Sequence, residues 1–259
     1  MCDLWRNTLA TQVPQGAIPE QIDFALERLP PARVIKLYNS GSFFDSGAIP
    51  TGDYQAIAAR LRTFDRVIVE CHPAFVSDRC LEFKELLSGQ FEIAMGLETA
   101  DPETLEKLNK RMTLEQFAEA AQFLRSSEID LRVFILVQPP FMRVERALYW
   151  TQRSLEFAFD CGATAATLIP TRAGNGAMEM VAANGEFASP TLELLESSSE
   201  FGLCMRRGRV FVDLWDMKSN SACAHCFEPR IERLREMNLQ QRIMPAINCT
   251  RCEAPIASV

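Results

Sequence analysis

Ile93-Ala94-Met95-Gly96-Leu97-Glu98-Thr99 is apolar or small for five residues and then turns polar, and the stretches on either side have helical spacing. A short apolar run bounded in this way reads as a buried strand. The helical stretches cover 78–87 before it, and 102–109 and 114–126 after it. Working outward, the same alternation recurs. Strands are expected over 34–38, 67–71, 131–137 and 165–169, with a later one over 210–214. Helices are expected over 18–29, 54–64, 144–159 and 191–201, the first ended by Pro30-Pro31. Strands alternating with helices of this length predict parallel βαβ units, in an open doubly wound sheet or a barrel.

Ligands of parallel α/β folds sit at the carboxyl ends of the strands. Here those ends carry Asn39 and Ser40, then Glu70 and His72, Glu98 and Thr99, Gln138, and finally Thr171 and Arg172. Singly, each reads as a helix cap or a solvated loop residue. Five polar ends in succession are expected to converge on one mouth. His72 is either an acid or base or a hydrogen-bonded structural histidine. Gly174-Asn175-Gly176 offers backbone N–H groups to an anion, or is a plain turn. Cys71, Cys80, Cys161 and Cys204 read as buried apolar residues.

With 259 residues, 47% of them hydrophobic and 24% charged, the chain has the composition of an ordinary soluble α/β domain with a small appendage. The expected division is an α/β domain over 1–205, which the resemblance described below makes a barrel incomplete at its N-terminus, and a strand and metal-binding module over 206–259. No apolar run is long enough to span a membrane, and no membrane partner is expected. A secretory signal is not evident, and with nine cysteines this implies a reducing cytoplasm. The net charge of -7 argues against non-specific nucleic-acid binding through the whole surface, though not against a local basic site.

The most self-contained motif is Cys223-Ala224-His225-Cys226, followed after 22 residues by Cys249-Thr250-Arg251-Cys252. Two residues between thiols let one tight turn aim both sulfurs at a shared metal, and two such hooks make a tetrathiolate site. Structural zinc is the first choice and an auxiliary iron–sulfur cluster the alternative, since it takes the same four thiolates. His225 lies inside a hook, but the cysteines are favoured as ligands. Between the hooks, Arg230, Arg233, Arg235 and Arg242 alternate with Glu228, Glu232 and Glu236. That pattern reads as a solvated helix face, or as a contact to RNA phosphates.

Cys2, in Met1-Cys2-Asp3-Leu4-Trp5, resembles the last cysteine of the C-x3-C-x2-C loop of the radical SAM superfamily. Five further segments extend the likeness: Tyr38 to Asp45, Gly96 to Thr99, Leu108-Asn109-Lys110, Pro139 to Met142 and Ile169 to Gly176. Together they are similar to the group that holds the archaeosine-biosynthesis proteins and the relatives of the Elongator catalytic subunit. The resemblance implies a partial (β/α)6 barrel of the TIM type that lacks its first strand, in a chain truncated at its N-terminus. It implies a 4Fe-4S cluster with Cys2 as the one ligand present, and S-adenosylmethionine (SAM), reductively cleaved to start radical chemistry. By position, Asn39, Ser40, Gly41 and Ser42 replace the Gly-Gly-Glu that holds the SAM amino group in the family. Glu98, Thr99, Gln138 and Arg172 complete the cofactor set, and Arg172 would pair bidentately with a carboxylate or an anionic substrate. Implied partners are a small-molecule or nucleoside substrate, tRNA, and an electron donor such as flavodoxin or ferredoxin. A cluster-less barrel serving as a binding or scaffold protein is the alternative. Less favoured is an ordinary barrel aldolase with Lys36 as base.

Overall fold

Six apolar runs become six strands: β1 Val34–Leu37, β2 Arg66–Glu70, β3 Gln90–Glu98, β4 Asp130–Val137, β5 Ala165–Pro170 and β6 Arg209–Val212. They are seen in a computed structural model, which describes residues 9, 11–39, 41–173, 176–221 and 223–252, the Ser219 side chain excepted. The strands are parallel and lie in chain order, β1-β2-β3-β4-β5-β6. A doubly wound sheet reverses its strand order at a switch point. This one never does, so the fold is the partial (β/α) barrel rather than the open sheet. The strand expected over 210–214 belongs to the same sheet, with Val210 opposite Ala166 of β5.

The helices are α1 Ala17–Leu26, α2 Tyr54–Arg60, α3 Asp78–Leu86, α4 Pro102–Leu108, α5 Leu114–Ser126, α6 Val144–Asp160, α7 Ala177–Ala183, α8 Leu192–Met205 and α9 Phe227–Gln240. Local chemistry sets their ends. At the start of α5 the Thr113 hydroxyl accepts from Gln116 N at 3.2 Å, and the Gln116 side chain accepts from Thr113 N at 3.0 Å. This reciprocal pair satisfies two backbone donors that the first turn leaves open. α2 stops at Arg60, short of the expected 64, because Leu61 and Phe64 each donate three residues back and tighten the chain. Asp65 N then bonds Arg33 O and feeds the chain into β2. Among the described residues no helix is long and apolar enough to cross a membrane.

The chain divides into two compact units. The first comprises Met1–Leu97, Asn109–Phe134 and Ala158–Thr164. Its core includes Phe43, Phe44, Tyr54, Phe83 and Phe91, all buried, with the Phe43 and Phe83 rings 4.7 Å apart. One face of its strands also carries charge. Glu92 of β3 is wholly buried and accepts from Arg132 of β4 at 2.5 Å and from Arg66 of β2 at 2.8 Å. Arg66 reaches Asp130 as well, at 2.5 Å. A buried carboxylate of this kind is tolerable only because two guanidiniums compensate its lost hydration.

The second unit comprises Glu98–Leu108, Ile135–Phe157 and Ala165–Val259. Within it α8 packs on β6 through Gly202, where an added Cβ would lie 3.0 Å from both methyls of Val210 and 3.3 Å from Leu155. Two arginines then join α9 to α8. Arg230 bonds Glu193 and Glu196, and Arg233 pairs with Glu196 at 3.2 Å and Glu200 at 2.5 Å. Arg230 and Arg233 are buried, so the solvated face expected for this helix is corrected at those two positions. Their carboxylate partners lie on another helix rather than one turn away, and no spacing within α9 could announce them.

Candidate functional site

In the first unit, the loop after β1 is tied to the end of β2 by one carboxylate. Glu70 Oε1 accepts from Asn39 N at 2.5 Å and from Gly41 N at 3.2 Å. Its backbone carbonyl takes Phe43 N at 2.8 Å. Ser42 is buried and its hydroxyl accepts from His72 N at 2.8 Å, so Asn39, Gly41 and Ser42 are gathered around the end of β2. The Asn39 amide nitrogen reaches Ser42 O at 3.4 Å, whereas Asn39 Oδ1 is buried and has no partner among the described residues. Buried polar atoms without partners are rare, and a ligand donor is one way to satisfy such an atom. Ser40 lies outside the described residues, as do Cys2, Gly174 and Asn175.

His72 has the structural role of the two expected. Its Nδ1 accepts from Ala74 N at 3.2 Å, which leaves the proton on Nε2, and Nε2 donates to Lys110 O at 2.9 Å. Both nitrogens are engaged in holding backbone. Cys71 and Cys80 are buried as expected, and burial raises both thiols, Cys80 to about 11, so neither is a ready thiolate. Cys204 is exposed, a correction to the expected burial.

In the second unit, Glu98 closes β3 with φ 66° and Gln138 follows β4 with φ 53°. A left-handed backbone costs a side-chain-bearing residue roughly 1–2 kcal/mol, and such strain persists where surroundings fix it. Gln138 is fixed by donating Nε2 to Ala188 O at 2.6 Å. Thr99 is buried and accepts from Asp101 N at 3.1 Å. Arg172, after β5, donates Nη1 to Asp213 Oδ2 at 3.0 Å and Nη2 to Asp213 O at 3.3 Å. Both Nη atoms of Arg172 are therefore engaged by Asp213, while its Nε is buried and has no partner among the described residues. Asp213 and Trp215 were not singled out from the sequence. The rule that flagged the other strand ends applies to them too, since they follow the last strand.

The four cysteines of the two hooks do meet. Cys223, Cys226, Cys249 and Cys252 place their sulfurs within 4.8 Å of one another. Cys226 and Cys252 lie 3.4 Å apart, and Cys223 and Cys249 4.0 Å. Hydrogen bonding from Cys252 lowers the Cys223 thiol to about 6 and raises its partner. Such a cluster fits a bound metal. His225 is exposed and is not part of the four-cysteine group.

The fold is that of the radical SAM superfamily. No family profile matches the sequence. The archaeal Methanocaldococcus infernus Elp3 with an N-terminal deletion superposes with a TM-score of 0.60 at 13% identity, over 90% of this chain and 63% of that one. In sequence, an uncharacterized protein of Methanocaldococcus jannaschii is 22% identical over 254 residues, 93% of this chain and 70% of that protein. Archaeosine synthase subunit beta of Methanosarcina acetivorans is 29% identical over 136 residues, 49% of this chain and 39% of that subunit. The chain thus spans well under half of that subunit and under two thirds of the Elp3 chain.

Proposed function

We propose that this protein is a radical SAM enzyme that modifies a nucleoside of tRNA. The observation that carries the reading is Asn39 Oδ1, a buried acceptor without a partner in a loop held by Glu70, on a radical SAM fold. An ammonium group is the donor such an acceptor suits, and the amino group of SAM supplies one. Glu98, Thr99 and Gln138 as SAM contacts, and Arg172 as the partner of an anionic group, rest on the family resemblance by sequence position alone. The tRNA nucleoside is supported by the relative named archaeosine synthase subunit beta. Outside the four-cysteine site, the described residues bring no other group of three metal-binding side chains together. They therefore do not supply the thiolates of a SAM-cleaving cluster, and Cys2 is the candidate outside them.

For the four-cysteine site the proposed metal is zinc, with an auxiliary iron–sulfur cluster as the alternative. Four thiolates about 2.3 Å from one ion lie roughly 3.8 Å from each other, close to the 3.4 Å and 4.0 Å separations seen. A four-iron cube spreads its thiolates over four different irons and holds them farther apart.

Anaerobic reconstitution of the full-length protein with iron and sulfide tests both readings. The expected result is a 4Fe-4S signal that changes on adding SAM, release of 5'-deoxyadenosine, and zinc that is lost in Cys226→Ser. SAM binding without iron uptake would establish the cluster-less binding protein instead. That second reading has one observation in its favour, the lack of another convergent thiol set among the described residues.

A further inference from the structure

Trp215 has no part in the proposal above, yet its setting is unusual. Its side chain is 72% exposed, although a large aromatic gains from burial. Trp215 is nevertheless held in place. Its backbone N–H donates to Asp213 Oδ1 at 3.1 Å, and its ring centroid lies 5.5 Å from the guanidinium carbon of Arg172. That guanidinium is itself fixed, by the Asp213 carboxylate and carbonyl and by Met217 Sδ at 3.9 Å. Thus an open π face stands beside a buried Nε–H that has no acceptor among the described residues. The two unmet demands belong to one residue pair and ask for one ligand.

The chemistry narrows that ligand. A bare phosphate would answer the Nε–H but leave the indole in water, and an aliphatic chain would cover the indole but offer no acceptor. A heteroaromatic base does both, because it stacks on the indole and carries acceptor atoms itself or on its sugar-phosphate. We infer that Trp215 is the stacking platform for a base of the nucleic-acid substrate, with Arg172 Nε donating to an acceptor on the same nucleotide. This rests on the tRNA reading and adds the residue that would grip the base.

The test is titration of an unmodified tRNA transcript into the full-length protein, wild type, Trp215→Phe and Trp215→Leu, at several salt concentrations. Substituting so exposed a side chain should leave the melting temperature unchanged. The expected result is indole quenching in wild type and binding about tenfold weaker in Trp215→Leu, with most affinity kept in Trp215→Phe. The salt slope should be equal in all three, since no phosphate contact is removed. Equal binding by all three variants would overturn the role of Trp215 and leave the tRNA reading standing. Failure of the wild type to bind tRNA would overturn both. S-adenosylhomocysteine alone quenching Trp215, seen as a wild-type signal missing in Trp215→Phe, would assign the platform to the cofactor ring and overturn the inference.

Discussion

At the amino ends of β2, β3 and β4 the charges of Arg66, Glu92, Asp130 and Arg132 are paired with one another, whereas past the carboxyl ends of β1 and β5 Asn39 Oδ1 and Arg172 Nε have no partner among the described residues. Both regions bury polar atoms, but only the first satisfies them from within the chain. A satisfied network needs nothing further and serves the fold. An orphaned acceptor or donor costs stability in the free protein, and a ligand that fills it recovers that cost. The difference separates polar atoms that hold the sheet together from polar atoms that the proposed function assigns to ligands.

Three substitutions can break or sharpen this contrast. Glu92→Leu removes the carboxylate between Arg66 and Arg132 and takes from the buried Arg132 the ion pair it makes with Glu92. Its denaturant midpoint should fall by the equivalent of about 3–5 kcal/mol, and a loss below about 1 kcal/mol would mean that the amino-end charges are not a closed network. At the other end, Glu70→Gln weakens the tie to Asn39 N and Gly41 N. Here the expected loss of stability is only about 1 kcal/mol, while SAM affinity by calorimetry drops about tenfold. Equal affinity would show that the loop does not touch SAM.

The smallest effect concerns Tyr54, whose ring stacks on Phe43 at 5.8 Å. Its hydroxyl is buried without a partner, and burial raises its pKa from 10.0 to about 12. Below pH 10 the folded and unfolded chains are both protonated and the contribution to stability is complete. Between pH 10 and about 12 the unfolded chain ionises first, so stability falls as pH rises, by at most about 1.4 kcal/mol per pH unit. Tyr54→Phe should flatten that limb and raise stability by roughly 1 kcal/mol. An unchanged alkaline slope in thermal melts would show that another group titrates there.

The strands and most helices were legible because apolar runs and capping residues act locally. Thr113 and Gln116 announce the start of α5 within four residues, and the two hooks announce the four-cysteine site by spacing alone. What stayed hidden depends on partners distant in the chain. Arg132 and Glu92 are 40 residues apart, so the sequence could not show that a charge in β3 was paired. Arg230 and Arg233 looked solvated because Glu228, Glu232 and Glu236 surround them in sequence, while their actual partners are Glu193, Glu196 and Glu200. Of the loop after β1 the sequence showed the residues, but not that Glu70 would consume two of its N–H groups. Trp215 belongs to no periodic pattern and became visible only through its place beside Arg172.

The tight seat of Gly202 makes the second unit a mechanical linkage. A methyl at that position would meet Val210 at 3.0 Å and push α8 outward. α8 carries Glu196 and Glu200, the anchors of Arg230 and Arg233, and α9 begins directly after Cys226. Gly202→Ala would therefore act at a distance: a lesion in a helix that carries none of the four cysteines would be transmitted along two arginines and loosen the four-cysteine site.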